Sequence, residues 1–377
     1  MKKNRVIAML LAVLMAVSLC CSSFADEAFI IGSIGPTTGP YAQYGLAVEQ
    51  AAKLAAEEIN AQGGVQFTVL GEDDQGDGEL AVNAYNDLMD KGMDILLGTV
   101  LSGSCMAVGA LAVEERVFML TPSASNDLVN QTGDQVFQVC FTDSSQGSGS
   151  ARWIKANRPD AKVGIIYNNA QDYSMGITTS FEKTAAEIGL EVLAKAAFSD
   201  DTAADFSVQI ATMKNAGVDF IFLPIYYTPV ITILTQAKAI GYEPSYFGVD
   251  GMDGVLAVEG LDQTLVEGVF MLTPFDATAQ DEMTVNFVTK YVAQYGETPN
   301  QFAADAYDGM YILKLLVEQT GITADMNYDE ICEILVPAMT TISYKGLTGE
   351  MTWSADGTVS KLPNAVMIQN GAYVSAQ

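Results

Sequence analysis

Short apolar runs alternate with longer amphipathic ones along this chain from Ala28 onward, and few folds are compatible with that pattern. Apolar runs at 29–34, 67–71, 95–98 and 117–120 are bounded by glycine or polar residues, which predicts buried strands. Such alternation is typical of βα units around a mostly parallel sheet. The first helix is predicted by apolar side chains at steps of three and four residues, ending at Gly63 and Gly64: Ala47, Ala51, Leu54, Ala55 and Ile59.

The same alternation resumes after a polar stretch at 142–149. The chain has 377 residues, which exceeds the size at which one hydrophobic core usually keeps growing. No Pro/Gly/Ser-rich or charged linker separates two halves, so the sequence predicts two α/β lobes joined by more than one short crossover. Further strands are predicted at 163–167, 220–223 and 246–249, helices at 80–91, 176–188, 206–216, 282–295 and 305–319, and strands and loops in the final stretch.

The first 25 residues have the composition of a secretory signal peptide. Three basic residues within the first five positions precede an apolar run at 6–19, and small residues end at Ala25. The run is short for a membrane span, and an uncleaved anchor is the alternative. Cys20 and Cys21 follow the run, where a lipid-modified cysteine would lie, but neither follows the usual small residue. We expect cleavage after Ala25 and an extracytoplasmic domain, with a lipid anchor as the other route.

Composition excludes several classes of function. Cleavage after Ala25 removes three of the 18 Lys and Arg residues and none of the 46 Asp and Glu residues, which leaves a net charge of −31. Such a charge disfavours binding to nucleic acid and to anionic membranes. The sequence has no histidine, the commonest general base and metal ligand, and we expect neither a cofactor nor a metal. Cys105, Cys140 and Cys332 fit no disulfide framework or CxxC site, so we expect unpaired thiols, with one pair as the alternative.

Polar loops follow three of the predicted strands, at 35–45, 99–104 and 121–126. Ligands of open parallel sheets bind beyond the carboxyl ends of the strands, where these loops lie. Ser102 and Ser125 are placed so that a hydroxyl and free backbone N–H groups at a helix start can hold a carboxylate. An ordinary helix N-cap is the alternative for both serines. The glycines of the first loop match neither GxGxxG nor a Walker motif, so no nucleotide site is predicted.

Aromatic and acidic residues follow the strands of the second predicted lobe. Tyr173 and Tyr226 come shortly after two strands, and Asp250 directly follows a third. A carboxylate there can pair with an ammonium once closure dries the site, while a turn-stabilising aspartate is the alternative. Tyr44, in the first lobe, can cover a ligand side chain or serve in packing. No nucleophile has a usable base nearby, which favours binding over catalysis.

Seven short segments carry a resemblance to a known family: GPYAQYG at 39–45, EINAQGG at 58–64, EDD at 72–74, Gly98 leading to Ser102, Thr121-Pro122, DSSQG at 143–147 and Tyr226-Tyr227. In this order, along nearly the whole mature chain, they resemble the type I periplasmic binding proteins, specifically the leucine/isoleucine/valine-binding family. The resemblance implies two Rossmann-like lobes with parallel-rich sheets, joined by three hinge crossovers near Asp143, Thr273 and Gly349. It implies a first lobe at 26–143 plus 273–349 and a second at 144–272 plus 350–377.

The resemblance also implies roles for individual residues. Ser102 lies where a serine hydroxyl and amide of the family bind the ligand carboxylate. Ser125 lies where a second hydroxyl does so, and Ser123 lies where a backbone carbonyl accepts a hydrogen bond from the ammonium. Asp250 stands where the family has an acid, usually glutamate, against that ammonium.

The remaining matches are aromatic, and one position departs from the family. Tyr173 and Tyr226 match tyrosines that close over the ligand, and Tyr44 matches one that lines the side-chain pocket. Leu101 replaces a cysteine that, in the best-known members, pairs with one near Asp74, so that disulfide is absent here.

We therefore predict a non-catalytic, monomeric substrate-binding protein of an ABC importer. It would bind a free amino acid, branched-chain by family default, and deliver it to the permease subunits in the membrane. A sensory solute-binding protein for an amide or another small solute is one alternative, and an α/β hydrolase is another. Neither nucleic acid nor a membrane surface is an expected partner of the mature domain.

Overall fold

The first sheet is parallel throughout, as the alternation predicts. The computed structural model describes residues 27–376, so the predicted signal peptide, with Cys20 and Cys21, lies outside the described residues. The strand at 118–121 is buried along its whole length, as expected when helices cover both faces of a parallel sheet. The strands are β1 (Phe29–Gly35), β2 (Phe67–Asp73), β3 (Ile95–Leu96), β4 (Phe118–Thr121) and β5 (Val136–Gln138), in the spatial order β2-β1-β3-β4-β5.

The second sheet has a parallel body and two antiparallel strands at one edge. Its strands are β6 (Val163–Asn168), β7 (Val192–Phe198), β8 (Phe220–Leu223), β9 (Ser245–Gly248), β10 (Phe270–Thr273), β13 (Asn364–Gln369) and β14 (Ala372–Ser375). The spatial order is β14-β13-β10-β9-β8-β6-β7. A separate hairpin consists of β11 (Ser343–Gly346) and β12 (Gly349–Thr352).

Ten α-helices of the described residues cover the sheets. Several begin at a side-chain cap: Asp77 accepts hydrogen bonds from the amides of Glu79 and Leu80, and Asn300 accepts one from Ala303. Within residues 27–376, no helix is both long and apolar enough to cross a membrane. The helices are α1 (Ala42–Gln62), α2 (Gly78–Asp90), α3 (Ser102–Glu115), α4 (Asp143–Asn157), α5 (Asp172–Ile188), α6 (Ser207–Asn215), α7 (Tyr227–Ala239), α8 (Glu282–Tyr295), α9 (Gln301–Thr320) and α10 (Tyr328–Met339).

The chain passes between the two sheets three times. It crosses between β5 and β6, and it returns after β10 to α8, α9 and α10, of which α9 packs against α1. The last passage follows the hairpin. Trp353 Nε1 donates to the carbonyl of Gln138 at 2.7 Å, and Lys361 pairs with Asp305 of α9. The chain therefore stays beside the first sheet as far as Lys361 and joins the second at Asn364.

The largest difference from the sequence prediction is α4, which occupies the stretch at 142–149 that lacked any apolar pattern. Thr142 caps this helix by accepting a hydrogen bond from the amide of Ser145 at 3.2 Å. Gly147 packs so closely on α5 that an added Cβ would lie 2.4 Å from the carbonyl oxygen of Ile177. Small and polar residues are required at such an approach, so the first turns of the helix give no hydrophobic signal, whereas Ala151 and Ile154 further along are buried. The three cysteines of the described residues are free and buried, as expected.

Candidate functional site

One small cavity lies between the carboxyl ends of the two sheets. The first sheet order places β1 beside β3, although α1, β2 and α2 separate them in sequence. Loops diverge at such a point and leave a crevice. Six of the seven predicted site residues line this cavity: Tyr44, Ser102, Ser123, Tyr173, Tyr226 and Asp250. Ser125, the seventh, does not.

The first sheet contributes hydroxyl and amide donors. Ser102 is the first residue of α3, and Leu101 occupies the N-cap, so the alternative role of Ser102 as an ordinary N-cap is not observed. The buried Ser102 hydroxyl accepts a hydrogen bond from the amide of Asn126 at 3.2 Å, which leaves its own proton available to a ligand. The first amides of α3 have no partner within the helix and point toward the same end. This edge of the cavity therefore suits an anion.

Ser125 is directed away from the cavity, although it lies close by in sequence. Its buried hydroxyl donates to Asp143 Oδ1 at 2.7 Å. Asn126 Nδ2 donates to the other oxygen of Asp143 at 3.0 Å. Burial raises the pKa of Asp143 well above its ordinary value, and the Ser125 and Asn126 hydrogen bonds oppose that shift. Ser125 thus holds the first residue of α4, where the chain crosses to the second sheet.

Asp250 is the acidic group on the opposite wall. Its carboxylate accepts hydrogen bonds from the hydroxyl of Tyr173 and, at 2.7 Å, from the amide of Gly251. Its own amide donates to Gln146 Oε1 at 3.1 Å. The side chain is buried, and desolvation raises the pKa of Asp250 to about 7, with the Tyr173, Gln146 and Gly251 hydrogen bonds opposing. A buried carboxylate without a cation is costly, so this wall favours a ligand that brings a positive charge.

Aromatic rings enclose the space between these two polar walls. Tyr173 and Tyr226 stack with ring centroids 4.7 Å apart. Tyr44 packs against Tyr226 at 5.5 Å and against Phe302 at 4.9 Å. Val100 and Leu101 complete the apolar lining. The rings therefore offer apolar contacts between the donors of the first wall and the carboxylate of the second.

The loops of the two sheets touch across the cavity. The hydroxyl of Tyr44 donates to the carbonyl of Gly251 and accepts a hydrogen bond from the amide of Tyr227 at 3.3 Å. Nearby, Thr228 Oγ1 donates to the carbonyl of Pro40 at 2.9 Å. The cavity leaves about 10 Å³ for the centre of a water molecule, roughly the room that one water needs. An amino acid can enter only when these loops separate.

Two lining residues escaped the sequence analysis. Gly251 follows Asp250 directly, and a Cβ on it would lie 2.5 Å from the hydroxyl of Tyr173 and 2.9 Å from the ring of Tyr226. The Asp-Gly pair was a usable signal, because a glycine beside a candidate ligand often marks close packing. Phe302 is the second residue of α9 and follows no strand, so the strand ends give no signal for it.

Comparison with known proteins identifies relatives of the whole fold. The model of the family described as periplasmic binding protein matches residues 29–371. A leucine-, isoleucine-, valine-, threonine- and alanine-binding protein of Pseudomonas aeruginosa is 28% identical over 305 residues, covering 79% of this chain and 80% of that protein. These relations agree with the prediction of a protein that binds rather than catalyses.

Solved structures give the same result. A branched-chain amino acid transporter substrate binding protein of Streptococcus pneumoniae, in complex with isoleucine, has a TM-score of 0.83 and 28% identity, covering 93% of this chain and 99% of that one. A solute binding protein of an ABC transporter from R. palustris, in complex with benzoate, has a TM-score of 0.82 at 20% identity, covering 93% of this chain and 95% of that one. The second likeness shows the fold alone.

Proposed function

This chain belongs to the periplasmic binding protein family, and from that premise we propose that it is the substrate-binding protein of an ABC importer for a free amino acid. One observation carries the proposal: donors at the start of α3 and the carboxylate of Asp250 face each other across one cavity. An amino acid carries a carboxylate and an ammonium on one carbon, which matches these two walls. The role of extracytoplasmic receptor follows from the family.

We propose specific partners for the two charges. The ligand carboxylate binds the Ser102 hydroxyl and the first amides of α3, where the helix dipole favours negative charge. The ammonium binds Asp250, and the backbone carbonyl of Ser123 accepts from it. Ser125 supports the site through Asp143 instead of touching the ligand, because its hydroxyl is already donated.

The side chain of the ligand is proposed to be branched and aliphatic. Val100, Leu101 and the rings of Tyr44 and Phe302 provide apolar contacts. The names of the Pseudomonas and Streptococcus relatives support the same choice. An aromatic acid such as benzoate is the alternative that a neighbour of the same fold suggests. Asp250 argues against it, because a ligand without an ammonium would leave that acid buried and unpaired.

Closure of two lobes is proposed as the functional event. The first lobe contains the first sheet with α8, α9 and α10, and the second lobe contains the second sheet. Crossovers near Asp143 and Thr273 follow the sequence prediction, while contacts of Trp353 and Lys361 favour a third crossover between Lys361 and Asn364 rather than near Gly349. Ligand binding shifts the balance of open and closed states toward the closed form. A permease that recognises the closed form therefore binds the loaded protein in preference to the empty one.

We further propose that the protein is exported by the signal peptide at residues 1–25 and acts as a monomer beside the permease subunits. Its excess of acidic residues suits a protein that stays in solution without binding anionic surfaces.

Thermal unfolding with a panel of solutes tests the proposal. Protein stripped of carried ligand by unfolding and refolding is heated with each common amino acid, several small amides and benzoate. A ligand at 100 times its Kd stabilises the folded state by about 2.7 kcal/mol, which shifts the midpoint measurably. We expect shifts with leucine, isoleucine or valine and none with benzoate. A shift with benzoate alone would overturn the amino-acid assignment, and no shift with any solute would overturn the receptor role for these ligands.

A further inference from the structure

A second and much larger cavity lies beside α1, and no residue lines both cavities. It leaves about 450 Å³ for the centres of water-sized spheres, which falls in the range of small-molecule sites. One wall is a single stripe of α1, at helical spacing: Gln43, Leu46, Ala47 and Gln50. The other walls come from the segments after β9 and after β10, the turn between β13 and β14, and the loop between α8 and α9.

The charges around this cavity all have one sign. Asp253, Asp276 and Glu297 line it, and no lysine or arginine does. Asp253 is buried, and among residues 27–376 no cation pairs with it. Its carboxylate accepts three hydrogen bonds, from the hydroxyl of Tyr373 at 2.7 Å, the amide of Gly254 at 2.8 Å and the amide of Gln301 at 2.9 Å, none of which brings a positive charge. A buried acid beside open space and without a counter-ion favours a cationic occupant.

We propose that this cavity is a second binding site, which takes a small protonated amine with an apolar body. The ammonium lies against Asp253, and the alkyl part lies along Leu46, Ala47 and Phe275. The amide oxygens of Gln43 and Gln263 offer further acceptors, whereas those of Gln50 and Asn300 already accept from Tyr291 and Ala303.

An organic amine fits this lining better than a metal ion. Within the described residues, no group of three or more His, Cys, Asp or Glu side chains could hold a metal. Hard cations need several oxygen ligands at short range, whereas an ammonium needs one carboxylate and a few acceptors. A bare ion gains nothing from the apolar residues of the lining. The methylene groups of an organic amine bury apolar surface against them, which favours binding.

The position of the cavity links its occupant to lobe closure, a consequence that rests on the proposed two-lobe function. Gln43 and Leu46 belong to the first lobe, while Leu256 and Tyr373 belong to the second. A molecule that touches both walls binds best when the walls approach. The amine and the amino acid therefore favour the same closed form. By linkage, each raises the affinity for the other by the same factor.

Calorimetric titration with 1,4-diaminobutane and n-butylamine, with n-butanol as the neutral control, tests the site. We expect the amines to bind and the alcohol not to bind. Ala257→Trp fills the cavity from an exposed position of its wall, and should weaken amine binding by about tenfold or more. Ala211→Trp makes the same change on the exposed face of α6, away from the cavity, and should change nothing.

Two further variants separate this proposal from the amino-acid site. Asp253→Asn removes the proposed countercharge and should weaken amine binding by about tenfold or more, with its fold checked by circular dichroism. Asp250→Asn alters only the first cavity and should leave amine binding within about threefold. Amine binding lost in Asp250→Asn but kept in Ala257→Trp would assign the amine to the first cavity and overturn the proposal. Absence of any binding at millimolar amine would overturn it too, whereas failure of amino acids to bind would affect only the proposed function.

Discussion

Replacing Asp250 by asparagine should weaken ligand binding and, at the same time, stabilise the folded protein at neutral pH. Asparagine keeps an oxygen that can accept from Tyr173 and Gly251 but loses the charge. Losing one partner of a desolvated charge pair costs about 2 to 5 kcal/mol, so we expect leucine affinity to fall by about 30-fold to several thousand-fold.

The stability effect has the opposite sign. Burial raises the pKa of Asp250 from 3.8 to about 7, so the folded state holds a proton that the unfolded chain releases. Stability is therefore lost as pH rises from about 4 to about 7. The difference between the two pKa values corresponds to on the order of 4 kcal/mol, an upper bound if the acid is partly solvated in the open form. Asp250→Asn avoids that loss, so its advantage over the natural protein should grow between pH 5 and pH 8.

Guanidinium unfolding of ligand-free protein at both pH values, with calorimetric titration of leucine at pH 8, measures both effects. Asp160→Asn, at an exposed turn, is the matched control and should alter neither. Unchanged leucine affinity in Asp250→Asn would refute the role of the acid in binding. A stability difference that does not vary with pH would refute its burial as an unpaired charge.

Three other changes have distinct expected outcomes. Ser102→Ala should weaken leucine binding by about 1.5 to 3 kcal/mol in calorimetry, because a hydrogen bond to a carboxylate is lost. Ser125→Ala should lower the free energy of unfolding by about 1 to 3 kcal/mol in guanidinium, since Asp143 loses a buried donor, with leucine affinity within about threefold. Lys361→Met should cost about 3 to 5 kcal/mol in the same unfolding assay, because it leaves Asp305 buried without its cation.

Variants at other positions of the chain serve as controls for these changes. Ser207→Ala at the exposed start of α6 is the match for both serine variants and should be neutral. Adding Asp305→Leu to Lys361→Met should recover much of the lost stability, because replacing both members of a buried pair removes the unpaired charge. Equal loss of affinity in Ser102→Ala and Ser125→Ala would contradict the separate roles given to the two serines.

The strands and most helices could be predicted from the sequence because their side chains are sorted by burial. The strand β8 (Phe220–Leu223) is wholly apolar since it is buried on both faces. The first turns of α4 could not be predicted, because close packing against α5 at Gly147 selects for size rather than hydrophobicity. β3 has only two residues where a longer apolar run was predicted, since that run continues into the loop lining the cavity.

Some residues of the candidate site could likewise be predicted from the sequence, and others could not. Tyr173, Tyr226 and Asp250 were predictable from their positions after strands, which topology brings to one edge. The direction of the Ser125 side chain could not be predicted. It depends on a hydrogen bond with Asp143, eighteen residues further on, and the position of Asp143 is set by the crossover. The second cavity gave no sequence signal, because its lining comes from segments that are far apart in the chain.

The hydroxyl of Tyr44 bridges the two halves of the molecule through direct hydrogen bonds with Gly251 and Tyr227. These bonds contribute to the free energy of lobe closure. The ligand contributes the rest through its own contacts with both lobes. Tyr44→Phe would remove both bonds, so on the proposed two-lobe function we expect it to shift the population toward the open form and to weaken ligand binding.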